Sequence, residues 1–219
     1  MSEQFLTAFY GGTFDPIHHG HLQPVIALAQ LVNLQRVILL PNHLPLHRPP
    51  PQATPYQRLM MTRLAIADTP GKLFIIDERE LRRATPSWTV ETFQAIRREY
   101  GPMAPLGLII GQDSLLTLPQ WHRSEELLKL CHILVCARPG YLHSDHWMVH
   151  RLTDDPIALH HQPAGLVYCA ATPELDISAS DIRGRLHAIL PCYDLLTPSV
   201  QGYINEQGLY RTASVRTLL

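Results

Sequence analysis

Short apolar runs rich in β-branched residues alternate along this chain with segments of helical period, and that alternation is the strongest constraint on its fold. Phe5 to Tyr10 reads as a strand ending at Gly11-Gly12, and His21 to Val32 follows as a helix with Leu22, Val25, Ile26, Ala29 and Val32 on one stripe. Arg36 to Leu40 is a second strand, stopped by Pro41. Thr54 as N-cap, Pro55 in the first turn and Gln57 three residues after the cap start a helix to about Ala67. Leu73 to Ile76, Leu106 to Ile110, His132 to Ala137 and Leu166 to Ala170 complete the strands. Between them, Ser87 caps a helix through Glu99, helical segments follow the turn Gly111-Gln112-Asp113-Ser114 up to Leu130, Ser178 opens a helix to about Ile189, and a last helix covers Ser199 to Asn205.

The strands show little period-2 pattern, so both faces of the sheet are covered. The expected architecture is an α/β, Rossmann-like doubly wound parallel sheet with helices on both faces and a small C-terminal helical part from about 178. The reading treats 1–219 as one domain, with a His- and Asp-rich excursion at 141–162 and a mobile tail from Thr212. Ligands in such sheets bind beyond the carboxyl ends of the strands. That singles out Gly11 to His21, Pro41 to Arg48, Gly111 to Ser114, Arg138-Pro139-Gly140 and Thr172 to Arg183.

Composition narrows the partners. Lys+Arg 18 against Asp+Glu 19 leaves a net charge of −1, without the single-sign field of a general nucleic-acid or anionic-membrane binder. No apolar run approaches the roughly 20 residues of a membrane span, and Met1-Ser2-Glu3-Gln4 does not open a secretory signal. Cys131, Cys136, Cys169 and Cys192 form no C-x-x-C pair and read as reduced thiols of a cytoplasmic protein. Histidine is the unusual residue, with 13 copies, and it suits phosphate, metal or acid-base chemistry.

Two segments carry chemistry. In Gly11-Gly12-Thr13-Phe14-Asp15-Pro16-Ile17-His18-His19-Gly20-His21, paired glycines precede a helix N-terminus, a layout for phosphate that is neither a dinucleotide fingerprint nor a P-loop. His18 and His21 share one face of the first helical turn and can address one phosphoryl group. In Asp176-Ile177-Ser178-Ala179-Ser180-Asp181-Ile182-Arg183, a capped helix start brings a hydroxyl and a guanidinium together, suited to outer phosphates. Taken singly, the first pair could be surface histidines and the second an ordinary capped helix.

Together, Gly-Gly-Thr-Phe-Asp-Pro-x-His-x-Gly-His and Ile-Ser-x-Ser-x-Ile-Arg resemble the nucleotidyltransferase superfamily of adenylyl- and cytidylyltransferases. Within it, the chain from about Phe5 to Arg211 resembles the bacterial nicotinate-nucleotide adenylyltransferases. Pro41-Asn42 with His47-Arg48, Asp77 to Leu81, Ile110 to Ser114 and Tyr203 to Tyr210 support that likeness. The resemblance implies transfer of AMP from ATP to nicotinate mononucleotide, giving deamido-NAD and pyrophosphate, with Mg²⁺ bridging the phosphates. It implies that His18 and His21 serve the α-phosphate and that Ser180 and Arg183 hold the outer phosphates. Gly11, Gly12, Thr13, Phe14, Arg48, Gly111, Arg138 and Ile177 would line the ATP site. On the substrate side it implies Asp113 near the ribose, Trp121 stacked on the pyridine ring, and backbone donors near Thr89 and His122 for the nicotinate carboxylate. A homodimer is compatible with it.

Two positions depart from the family pattern. His122 stands where a larger aromatic is expected, which leaves acid-versus-amide selectivity open, and Ala179 replaces a hydroxyl residue. His143, Asp145, His146, His150, His160 and His161 could bind a transition metal, although a solvated insertion is the better reading. The rival functions are a nicotinamide mononucleotide or phosphopantetheine adenylyltransferase and a non-catalytic nucleotide- or metal-binding protein.

Overall fold

The computed structural model describes residues 5–43, 49–83, 87–137 and 146–211. β1 (Thr7–Gly12), β2 (Val37–Pro41), β3 (Phe74–Ile76), β4 (Leu106–Gly111), β5 (His132–Ala137) and β6 (Val167–Ala171) form one sheet in the order β3-β2-β1-β4-β5-β6. Every pairing is parallel. Chain connections leave β1 and β4 in opposite directions, so a crevice opens between their carboxyl ends. Gly11-Gly12 and Gly111 sit on its two sides.

The connecting helices are α1 (His19–Leu31), α2 (Pro55–Asp68), α3 (Thr89–Tyr100), α4 (Gln112–Thr117), α5 (Ser124–Leu130), α6 (Ala158–His161), α7 (Ala179–His187) and α8 (Pro198–Glu206). Val25 and Leu28 of α1, Met61 and Ala65 of α2, Ile182 and Leu186 of α7, and Val200 and Ile204 of α8 join Ala8, Leu39, Ile109 and Leu134 in one core. On the other face, Val90, Phe93 and Ile96 of α3 and Leu127 and Leu128 of α5 meet Phe9, Ile38, Leu108, Ile110, Ile133 and Val135. Successive strand residues point to opposite faces, and here both faces are apolar. The expected two-sided burial is therefore present.

Helix ends show how local chemistry and tertiary packing share the decision. α2 starts as expected, with Thr54 Oγ1 accepting from the Gln57 N–H at 3.2 Å and Gln57 Oε1 accepting from the Thr54 N–H at 2.9 Å. α3 does not: Trp88, not Ser87, is its N-cap, and Ser87 Oγ is buried without a hydrogen-bond partner. The ring contact between Trp88 and His122 engages this helix start. The Gly111 to Ser114 turn is already helical, with Gly111 as the N-cap of α4 and Asp113 in the first turn, where a carboxylate favours the helix dipole.

Residues 146–151 form a 3₁₀ helix, and Leu152 makes a parallel bridge to Val167. Met148 and Leu159 in this region are fully buried. Two histidines fasten it: His160 accepts the Leu6 N–H on Nδ1 at 3.4 Å and places Nε2 2.8 Å from the Val32 carbonyl. His132 likewise receives the Leu166 N–H on Nδ1 and meets the Gln162 carbonyl through Nε2. Both rings are structural ties, which uses up the ligand capacity of His160. All four cysteines are free thiols, and burial pushes Cys136 and Cys169 up to about 12, in keeping with unreactive groups. No described helix is long and apolar enough to cross a membrane.

Candidate active site

The loop after β1 is shaped by its own aromatic residue. Gly12 lies opposite Pro41, and a Cβ on Gly12 would stand 2.6 Å from a Phe14 ring carbon, so only glycine lets Phe14 fold back. Phe14 adopts φ 49, a left-handed conformation that its buried ring secures. That ring meets His21 edge-on at 5.2 Å and 89°, and Tyr10 at 5.8 Å. The imidazole is therefore held against an aromatic wall.

His18 is the N-cap of α1 and only 4% exposed. Its backbone N–H donates to His21 Nδ1 at 3.3 Å, and the two rings stack with centroids 3.7 Å apart. The expected pair is thus brought together. Burial, followed by the charge of His19, lowers the His18 pKa to about 4, so the ring is neutral at neutral pH. Its Nδ1 is buried and has no hydrogen-bond partner among the described residues.

A depressed histidine pKa has a defined effect on stability. The unfolded chain takes up this proton first, so the contribution is complete above about pH 6.5 and is lost as pH falls towards about 4. The slope from this one group reaches about 1.4 kcal/mol per pH unit. Urea midpoints of wild type and His18→Asn should therefore converge between pH 7 and pH 4.5; a constant gap would remove His18 from the acid response.

The C-terminal motif meets this loop directly. A Cβ on Gly20 would lie 3.0 Å from both His18 Nδ1 and the Ile177 carbonyl, so the glycine permits the start of α1 to touch the residue before the α7 cap. Ser178 caps α7, its Oγ accepting from the Asp181 N–H at 3.1 Å. Arg183 donates to the Asp15 carbonyl at 2.7 Å and to Ser180 Oγ at 3.2 Å, keeping a quarter of its side chain exposed. Two open clefts of about 400 and 300 Å³ flank α7 and share Ser180 and Gly184.

Two buried residues escaped the sequence reading. Asp15 accepts from the Gln52 N–H at 2.8 Å, the Ala53 N–H at 3.1 Å and the Tyr210 hydroxyl at 2.7 Å. Arg58, fully buried on α2, donates to the carbonyls of Thr13 and His43. Asp15 was visible as part of its motif, and Arg58 as a lone charge on a helix face shared with Met61 and Ala65.

The residues expected on the substrate side lie at the start of α3, on α4 and between α4 and α5. Thr89 is the first residue of α3, and its N-cap Trp88 contacts His122 at 4.5 Å and 35°. His122 thus occupies an aromatic contact despite departing from the family pattern. Trp121 donates its indole N–H to Thr117 Oγ1 at 3.3 Å. Asp113 is exposed on α4, beside Gly111. Arg48 and Arg138 lie outside the described residues.

Known proteins share this arrangement of sequence. The profile of the cytidylyltransferase-like family matches residues 9–185. A protein of Baumannia cicadellinicola subsp. Homalodisca coagulata, named "Probable nicotinate-nucleotide adenylyltransferase", is 79% identical over 96% of this chain and 100% of its own. The chain belongs to this family of nucleotidyltransferases. A relative of the same name from Pectobacterium atrosepticum is 55% identical over 94% of this chain and 99% of its own. In structure, the chain resembles the Plasmodium falciparum nicotinic acid mononucleotide adenylyltransferase complexed with APC, with a TM-score of 0.68 and 19% identity over 94% of this chain and 97% of that one. The same protein complexed with NaAD aligns equally well. At that identity the likeness speaks for the fold, whereas the bacterial relatives carry the family assignment.

Proposed function

We propose that the protein transfers AMP from ATP to nicotinate mononucleotide in NAD biosynthesis, releasing pyrophosphate. The observation that carries this reading is the junction of the two phosphate motifs, where Arg183 grips the Asp15 carbonyl and Gly20 lets Ile177 approach His18. It gathers two imidazoles, a guanidinium and two helix starts at one crevice, and full-length relatives carry that activity in their names.

In this reading an oxygen of the mononucleotide phosphate attacks the α-phosphorus of ATP in line. The bond from that phosphorus to the bridging oxygen breaks, and pyrophosphate leaves with the electron pair. The nucleophile is already an anion, so no protein base is needed, and catalysis rests on positioning and on stabilising charge. His18 and His21 face the α-phosphate. Ser180 and Arg183 hold the outer phosphates, with Arg48, Arg138 and the backbone of Gly11 to Phe14, Gly111 and Ile177 around the nucleotide. Thr89, Asp113, Trp121 and His122 take the pyridine nucleotide.

Mg²⁺ fits this site as an ion held through the nucleotide's phosphate oxygens and water. Among the described residues there is no group of three or more His, Cys, Asp or Glu side chains able to hold a metal. When bound, the ion neutralises charge on the outer phosphates. The setting is the cytoplasm, where thiols stay reduced.

A coupled pyrophosphate assay with ATP and three acceptors tests the reading. Nicotinate mononucleotide should give the highest kcat/KM, ahead of its amide and of phosphopantetheine. Pyrophosphate release with none of the three would leave a nucleotide-binding protein in place of the enzyme, and preference for the amide would reassign the substrate.

A further inference from the structure

Arg58 presents an energetic problem that the proposed reaction leaves unused. Its side chain sits on the buried stripe of α2 with Leu59, Met61, Thr62 and Ala65, and it is 0% exposed. Removing a guanidinium from water costs several kcal/mol, and an apolar residue of similar volume often stabilises such a site better. No carboxylate lies within 4.0 Å of it among the described residues. The charge of Asp15 partly offsets the burial that lowers the Arg58 pKa.

What Arg58 does hold is backbone. One guanidinium nitrogen donates to the Thr13 carbonyl at 2.6 Å and the other to the His43 carbonyl at 2.9 Å. These carbonyls belong to the loops that follow β1 and β2, which are neighbouring strands of the sheet. Two more bonds join the same loops: Asn42 donates its side-chain N–H to Thr13 Oγ1 at 3.2 Å and its backbone N–H to the Gly12 carbonyl at 3.0 Å. A rigid fork with two diverging donors can set the separation of two loops, which a single ammonium cannot.

Peptide geometry turns this grip into a functional statement. The Thr13 carbonyl and the Phe14 N–H belong to one planar trans peptide and point in opposite directions. With the carbonyl drawn to Arg58, the Phe14 N–H points away from that guanidinium.

We propose that Arg58 is a positioning residue for nucleotide binding: by holding the Thr13 and His43 carbonyls it aims the Phe14 amide at the phosphates of ATP. This rests on the adenylyl-transfer reading above. An amide that contacts the nucleotide equally before and during the reaction contributes uniform binding, so its misplacement raises KM and spares kcat.

The test is steady-state kinetics of Arg58→Lys, with wild-type pyrophosphate release measured first. KM for ATP should rise by about 10-fold or more, while KM for nicotinate mononucleotide stays within about twofold and kcat within about threefold of wild type. An unchanged KM for ATP overturns the proposal, as does a loss spread equally over both substrates and kcat. Should the variant not fold, the wild-type ¹⁵N amide spectrum decides: addition of ATP must shift the Phe14 resonance, and an unmoved Phe14 overturns the proposal. Failure of the functional reading is separately visible, because wild type would then release no pyrophosphate.

Discussion

Alanine at His18 or His21 should lower kcat by about 10²-fold or more, the effect of losing one preorganised donor at a site of developing charge. The two rings stand 3.7 Å apart, and burial keeps His18 neutral in the free protein. A triphosphate alongside would oppose the burial that keeps His18 neutral. The pair therefore delivers hydrogen-bond donors, and charge where a phosphate requires it. His21→Ala is the cleaner variant, since His18 is almost fully enclosed and its removal also leaves a cavity. Circular dichroism and thermal melting establish the folded state, and single-turnover kinetics measure the chemical step. Turnover within about threefold of wild type in a folded His21→Ala protein would exclude the assigned charge stabilisation.

Asp15→Ala should produce the largest loss of stability among changes in the loop after β1. The carboxylate answers the Gln52 and Ala53 amides and the Tyr210 hydroxyl, and all three would be stranded by its removal. It also lies 3.9 Å from Arg183 and acts electrostatically on Arg58, so both cations would lose the stabilising charge of this carboxylate. Breaking a buried charged network in this way costs about 3–5 kcal/mol, equivalent to a fall of about 6–20 °C in thermal midpoint for a domain of this size. Below that melting point, ATP should bind more weakly because the segment carrying the Arg183 contact has lost its anchor. A thermal midpoint within about 2 °C of wild type would show that the network contributes little to the fold.

Much of this site was legible as motif. Periodicity located all the strands to within a residue or two, because apolar runs that must be covered on both faces leave a strong signal. The glycines and histidines after β1 stood out as a candidate phosphate loop, and Ser178 proved to be the cap of α7. Asp15 and Tyr210 illustrate what pattern alone could not reveal. They are 195 positions apart, and only chain closure makes them a hydrogen-bonded pair. Trp88 was equally silent, because Ser87 is the better capping residue by local preference while a ring contact with His122 engages Trp88.

Sequence alone determined the class of fold, the order of its elements and the two segments proposed to meet phosphate, since hydrophobic periodicity, turn chemistry and capping are local properties. Tertiary structure decided how those segments become one site. The parallel crossovers put β1 beside β4, Gly20 let α1 approach Ile177, just before the cap of α7, and a buried carboxylate and guanidinium tied the loops between them. The physical reason is distance along the chain: each tie satisfies a buried polar group with a partner far away in sequence, and such a need has no periodic trace until the core has formed.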